Sequence, residues 1–196
     1  MSAQIKLQNA RLASLLEDHS IVLVGLMGAG KTCIGRRLAQ KLDAGFADAD
    51  AEIEAAADCT IDEIFKRFGE QAFRDGERRV IERLLAKPGQ VIATGGGAFV
   101  DPKTRANIKY RGISVWLKAD LDVLLQRVSR RDDRPLLKEG DKRTILKRLM
   151  DERYPSYAEA DVTIVTVNET PASTVKRTIH ALTKHAGLIE KGSRRR

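Results

Sequence analysis

Residues Gly25-Leu26-Met27-Gly28-Ala29-Gly30-Lys31-Thr32 spell G-x-x-x-x-G-K-[ST], and the apolar run Ile21–Val24 stands directly before them. Strand, glycine-rich loop and helix in that order constitute a P-loop. The helix has to begin where its free N–H groups and partial positive charge face an anion. The glycines let backbone N–H groups curl around a polyphosphate. Lys31 adds a mobile positive charge, and the Thr32 hydroxyl suits Mg²⁺. The loop and first turn, Gly28, Ala29, Gly30, Lys31, Thr32 and Cys33, are the expected contacts of a nucleotide triphosphate.

Composition narrows the classes. At 196 residues, 42% hydrophobic and 32% charged, the chain reads as one soluble domain with a sizeable core. No apolar run approaches membrane-spanning length. The first twenty residues carry Glu17 and Asp18 and lack the apolar centre of a secretion signal. A cytoplasmic protein with no membrane partner is expected. Cys33 and Cys59 have no metal-ligand spacing and suggest no disulfide framework. Cys33, on the helix after the loop, reads as a small buried thiol. The net charge is +8, but residues 184–196 hold five Lys/Arg against one Glu, half of that excess. No nucleic-acid partner is therefore expected.

Five short apolar runs read as buried strands: Ile21–Val24, Gly45–Asp48, Val91–Thr94, Ile113–Leu117 and Val162–Thr166. Helical patterns between them give an alternating α/β order and predict a parallel sheet covered on both faces. A helix is predicted from Lys31 to about Leu42, with Ile34, Leu38 and Leu42 on one side. Thr60-Ile61-Asp62-Glu63 is a capping box, and Gly69 is expected to break the helix it opens. The next helix runs from about Glu70 to Leu85 with Phe73, Val80, Ile81 and Leu84 on its apolar side. Asp120 starts a helix through Arg127, and Thr170-Pro171 opens the last one. The charged, proline-bearing stretch Ser129–Glu139 reads either as a solvated loop or as a lid whose arginines close over phosphates. Residues 1–18 form an unassigned arm, 19–186 one domain with the lid at about 128–140, and 187–196 a basic, disordered tail.

The strand Val91–Thr94 ends in Gly95-Gly96-Gly97 with no carboxylate. The acidic candidates instead follow Phe46-Ala47. In an extended segment Asp48 and Asp50 point the same way, one toward Mg²⁺ and one toward a substrate hydroxyl. The alternative is an acidic cluster of Asp48, Asp50 and Glu52 serving a helix N-terminus. The three glycines suit close backbone approach to a small anion, or a plain tight turn.

Phe46-Ala47-Asp48-Ala49-Asp50, Gly69-Glu70-Gln71-Ala72-Phe73-Arg74, Thr94-Gly95-Gly96-Gly97, Arg134-Pro135-Leu136-Leu137 and Glu152-Arg153-Tyr154-Pro155-Ser156-Tyr157 together resemble shikimate kinase, in the family's order, over about residues 20–175. The resemblance implies transfer of the ATP γ-phosphate to the 3-hydroxyl of shikimate with Mg²⁺. It also implies the fold of nucleoside monophosphate kinases, a five-stranded parallel sheet in the order 2-3-1-4-5 with a mobile lid, and a monomer. By the same resemblance Lys31, Asp50 and Arg134 are catalytic, with Asp50 the candidate base and Arg134 the lid arginine on the transferred phosphate. Thr32 and Asp48 serve the metal, and Arg127 packs on adenine. Asp50, Arg74, Gly95, Gly96, Gly97 and Arg153 hold shikimate. Phe65 and Phe73 are candidate walls for its ring, or ordinary helix core. Arg74 taken alone reads equally as a surface partner of Glu70 or Glu77. A gluconate or nucleoside monophosphate kinase of the same fold, and a nucleotide-dependent switch, are the competing classes.

Overall fold

A computed structural model describes residues 12–129 and 140–193, with backbone only for 188–193. Five parallel strands form one sheet in the order β2-β3-β1-β4-β5. They are β1 (Ser20–Val24), β2 (Gly45–Asp48), β3 (Gln90–Ala93), β4 (Gly112–Ala119) and β5 (Val162–Thr166). Every residue of β1 is buried, as a central strand covered on both faces must be. The register sets Leu23 beside Ala93 and Val115, and Asp48 beside Ala93. The carboxyl ends of β1, β2 and β3 therefore lie side by side. The chain leaves β1 toward β2 on one side and later reaches β4 on the other. Crevices at such a switch point are where open α/β sheets take ligands.

The helices are α1 (described over 12–18), α2 (Lys31–Leu42), α3 (Ala49–Ala57), α4 (Ile61–Leu85), α5 (Pro102–Arg111), α6 (Leu121–Val128), α7 (Lys142–Tyr157) and α8 (Pro171–Ser193). Thr60 and Glu63 form the expected capping box at α4. Gly69, at φ 80 and ψ 174, interrupts that helix without ending it. Glycine adopts this conformation at no steric cost. Phe73, Val80, Ile81 and Leu84 are buried beyond the kink, as the sequence predicts. Thr170 accepts from Ser173 N at 3.3 Å ahead of α8.

Four features depart from the sequence reading. Helix α5, capped by Asp101, and helix α7, capped by Asp141, were not predicted. Asp50 is not extended: β2 ends at Asp48, whose carboxylate accepts from Asp50 N at 3.2 Å and starts α3. The shared-face reasoning for the two aspartates is therefore replaced by a helix N-cap. Part of the expected arm belongs to the core, since Leu12, Leu15 and Leu16 are buried with it. Helix α8 continues through Ser193, into the stretch expected to be a disordered tail. Residues 194–196 and the lid stretch 130–139 lie outside the described residues. Among the described residues no helix is long and apolar enough to cross a membrane.

Candidate active site

The loop after β1 turns on glycines at positive φ, 81 at Gly28 and 95 at Gly30. Gly30 is the N-cap of α2, and no side chain caps it. The first N–H groups of that helix therefore face the loop interior, where an anion can take them. Lys31 Nζ donates to the carbonyls of Gly25 at 2.7 Å and Leu26 at 3.1 Å. Its ammonium is thus folded over the loop it serves. Arg127, on α6, donates to the Gly28 carbonyl at 3.3 Å and the Ala29 carbonyl at 3.4 Å, and its other amino group reaches the Val167 carbonyl at 2.9 Å. Cys33 is half-buried, not the fully buried thiol expected, and its Sγ accepts from Arg37 Nη1 at 2.9 Å.

The three acidic residues do three different things. Thr32 Oγ1 donates to Asp48 Oδ2 at 2.8 Å, joining the first turn of α2 to the end of β2. Glu52 pairs with Arg83 at 2.8 Å, bracing α3 against α4. Asp50, on the first turn of α3, faces the glycine loop.

What fills the space beside each glycine locates the rest. A methyl group on Gly95 would lie 2.7 Å from Asp50 Oδ1 and 2.7 Å from Glu77 Oε1. Those two oxygens therefore stand no further apart than twice 2.7 Å. A methyl on Gly96 would lie 3.4 Å from Arg153 Nη1 and 3.7 Å from both the Gly25 carbonyl and Met27 N. On Gly97 it would lie 2.7 Å from Arg74 Cζ. The P-loop, Asp50, Arg74 and Arg153 thus converge on one short loop after β3. No side chain larger than hydrogen fits at Gly95 or Gly97 without moving a charged group.

Arg74 donates to Glu77 at 2.8 Å and to Glu70 at 3.2 Å. Both partners weighed from the sequence are therefore present. Phe73 is buried, Phe65 stacks on it at 4.6 Å between centroids, and the Arg74 guanidinium lies 5.1 Å from the Phe73 ring. The pair is helix core and at the same time the floor under Arg74.

Glu77 is the group sequence reasoning undervalued, treating it only as a partner for Arg74. It is 3% exposed, and its Oε1 has no hydrogen-bond partner among the described residues. Burial pushes its carboxyl above the usual carboxylate range and nearby Asp50 adds to this, while Arg74 and Arg153 oppose it. The signal was available: a carboxylate sits on a helix face otherwise made of Phe73, Val80, Ile81 and Leu84. Arg134 lies outside the described residues. The P-loop, Asp50, Arg74 and Arg153 meet at the Gly95–Gly97 loop, whereas Glu52 is drawn to Arg83 and Cys33 to Arg37.

A family model for shikimate kinase matches residues 27–183. The chain is 58% identical over 182 residues to the shikimate kinase of Paramagnetospirillum magneticum, covering 91% of this chain and 93% of that protein. The chain belongs to the shikimate kinase family. A shikimate kinase from Mesorhizobium japonicum is 50% identical, with 92% and 89% covered. Among solved structures, the shikimate kinase of Acinetobacter baumannii in complex with shikimate superposes with a TM-score of 0.83 at 37% identity, over 87% of this chain and 96% of that one. A gluconokinase from Sinorhizobium meliloti shares the fold at 18% identity, with a TM-score of 0.60, 90% of this chain and 98% of that one being covered. The strand order 2-3-1-4-5 inferred from the family resemblance is the one observed.

Proposed function

We propose that this chain transfers the γ-phosphate of ATP to the 3-hydroxyl of shikimate, giving shikimate 3-phosphate and ADP, and that it does so in the cytoplasm. The observation that carries this reading is the convergence at Gly95–Gly97. Two guanidinium groups and a carboxylate face one short loop, and the P-loop lies against the same loop. Shikimate offers one carboxylate and three hydroxyls on a small ring. A carboxylate calls for arginine, whose planar fork makes parallel hydrogen bonds. Arg153 and Arg74 supply it. Hydroxyls call for an acceptor, and Asp50 supplies that.

Phosphoryl transfer depends on positioning and charge neutralisation more than on covalent chemistry. Asp50 orients the attacking hydroxyl and is placed to take its proton. Lys31 exchanges the Gly25 and Leu26 carbonyls for phosphate oxygens, and the N–H groups of the first turn of α2 cradle the same phosphates. Arg127, which donates to the Gly28 and Ala29 carbonyls of the P-loop, packs on the adenine in this reading. The Thr32 hydroxyl and the Asp48 carboxylate are 2.8 Å apart. They form a hard-oxygen pair that suits Mg²⁺, an ion that takes one or two protein oxygens beside waters and phosphate. Thr32 and Asp48 would hold the ion there, and it would supply positive charge against the triphosphate.

The test is ADP release with ATP and, in parallel, shikimate, its analogue lacking the 3-hydroxyl, its carboxamide, and gluconate. Turnover with shikimate, none with the analogue lacking the 3-hydroxyl, and weakened turnover with the carboxamide support the assignment. Turnover with gluconate and none with shikimate rejects it.

A further inference from the structure

The motif Glu152–Tyr157 carries one arginine whose role the site explains, and a buried tyrosine whose role it does not. Tyr157 is the last residue of α7 and has no exposed surface. Its hydroxyl donates to the Gly96 carbonyl. The Arg153 guanidinium, one helical turn earlier, acts on the same hydroxyl and favours its ionised form, and its Nη1 lies 3.4 Å from where a methyl on Gly96 would stand. The phenol spends its single proton on Gly96, and a guanidinium has donors only, so a bond between the two can run only from Arg153 to the phenol oxygen. The polarity of the chain is thereby fixed: Arg153 to Tyr157 to Gly96. Each end is a group facing the crevice.

The ring is not free to follow a wandering arginine. It packs at 5.9 Å from Trp116 of β4 and 6.0 Å from Tyr154. Tyr154 stands edge-on to Trp116 at 4.9 Å and donates to the Ala119 carbonyl at 2.5 Å. Three aromatic rings thus tie the end of α7 to the central sheet. Burial pushes the Tyr157 phenol up to about 12, so it remains a donor throughout the neutral range.

We propose that Tyr157 is a positioning residue for substrate: its hydroxyl holds the Arg153 fork at a fixed distance from Gly96, so that the two close on the substrate carboxylate together. This deepens the function proposed above and rests on it. A long, flexible side chain loses rotamer freedom when it binds an anion. An arginine already held in place loses less, and binds tighter for it.

The test is Tyr157→Phe, which deletes the hydroxyl and keeps the ring. The Michaelis constant for shikimate should rise about tenfold, the scale of one lost hydrogen bond to a charged group. That for ATP should stay within about twofold, and kcat within about threefold. The preference of the enzyme for shikimate over its carboxamide should shrink. Tyr157→Phe added to Arg153→Lys should cost little beyond Arg153→Lys alone, as expected when two residues act through one contact. An unchanged shikimate constant and carboxamide ratio, or equal losses for both substrates, overturns the proposal. So does a crystal structure of ligand-free Tyr157→Phe in which Arg153 keeps its place beside Gly96, whatever the substrate proves to be. Should the phenylalanine variant fold poorly, 3-fluorotyrosine at position 157 weakens the hydroxyl as an acceptor and keeps the shape. It should raise the shikimate constant about two- to threefold, and no rise overturns the proposal. Absence of shikimate turnover in the unaltered enzyme counts against the function proposed above, and the crystallographic comparison still decides the role of Tyr157.

Discussion

Gly95→Ala places one methyl group where two carboxylates already meet. The new Cβ would stand 2.7 Å from Asp50 Oδ1 and 2.7 Å from Glu77 Oε1. Gly95 is not at positive φ, so alanine meets no backbone strain and the effect is steric alone. Ordinary contact begins near 3.4 Å, so the two oxygens have to retreat by about 0.7 Å each. Glu77 is buried and tied to Arg74 at 2.8 Å. Asp50 is anchored on the first turn of α3. Neither yields freely, and overpacking of this kind costs roughly 1–3 kcal/mol. For a chain of this length that lowers Tm by about 2–10 °C. The effect on turnover should be larger in proportion, because misplacing a reacting group by ~1 Å costs about a hundredfold. A fall of about 30- to 100-fold in kcat is expected in a coupled ADP-release assay at saturating ATP and shikimate, with calorimetry on the same preparation. Gly45→Ala is the control: its Cβ would meet nothing closer than the flexible stem of Gln90 at 3.4 Å, so stability should not fall and kcat should not move. If Gly95→Ala loses the expected stability yet keeps kcat within about threefold, the position of Asp50 does not govern catalysis. If neither changes, the close approach itself is wrong.

Three further outcomes are expected. Gly76→Ala should raise stability by about 0.5–1 kcal/mol in urea melting, because Gly76 sits inside α4 and its Cβ would meet nothing within 4 Å; a loss would mean that space is filled in solution. Arg153→Lys should raise the shikimate Michaelis constant about tenfold and leave that for ATP nearly unchanged, since a point charge cannot replace a planar fork; equal rises would contradict its assignment. Asp101 caps α5 and pairs with Arg78 at 3.0 Å. Burial works to raise its pKa, but hydrogen bonds from Arg78 and Thr104 outweigh it and hold the carboxyl below the ordinary value. A depressed folded pKa adds stability above the unfolded value of about 3.9, and that share is lost as pH falls through the folded one. Asp101→Asn should therefore be less stable than the unaltered chain at neutral pH, with the gap narrowing as the pH is taken below the unfolded value; a gap of constant width would show that the charge contributes nothing.

Where local chemistry decides an element, the sequence announced it. The capping box at Thr60, the interruption at Gly69 and the Thr170-Pro171 start were all legible, because each depends on residues within one turn. Helix α5 carried the same kind of signal in Asp101-Pro102, but it buries only Thr104 and Ile108, too few positions to show a period. Helix α7 buries only Leu146, Leu149 and Tyr157 over sixteen residues and carries Pro155 in its last turn, so its period is equally faint. The aspartates illustrate how residue spacing can mislead about geometry. Residue spacing suggested an extended pair on one face. In the fold, the Asp48 side chain ends the strand itself by capping the next helix, and this turns Asp50 toward Gly95 while Asp48 turns toward Thr32.

The glycine loop was legible as close backbone approach, but the sequence could not say to what. Its neighbours come from α3, α4 and α7, and the missing side chains are replaced by charged atoms from all three. That crowding also changes how the two arginines must be read. The family resemblance treats them as equivalent grips on one carboxylate, yet their present partners differ. Arg74 spends Nη1 on Glu77, which is buried, and Nη2 on Glu70, whose side chain is 69% exposed. An exposed pair of this kind is worth ~0–1 kcal/mol, whereas removing the partner of a buried charge costs several. An incoming carboxylate should therefore displace Glu70 and leave Glu77 in place, so that Arg74 grips with the one edge of its fork that faces solvent. Arg153, beside a neutral phenol, has no carboxylate among its hydrogen-bonding partners in the described residues to release. Of the two forks it is the one prepared in advance, and the greater share of the selectivity for an anionic substrate should rest on it.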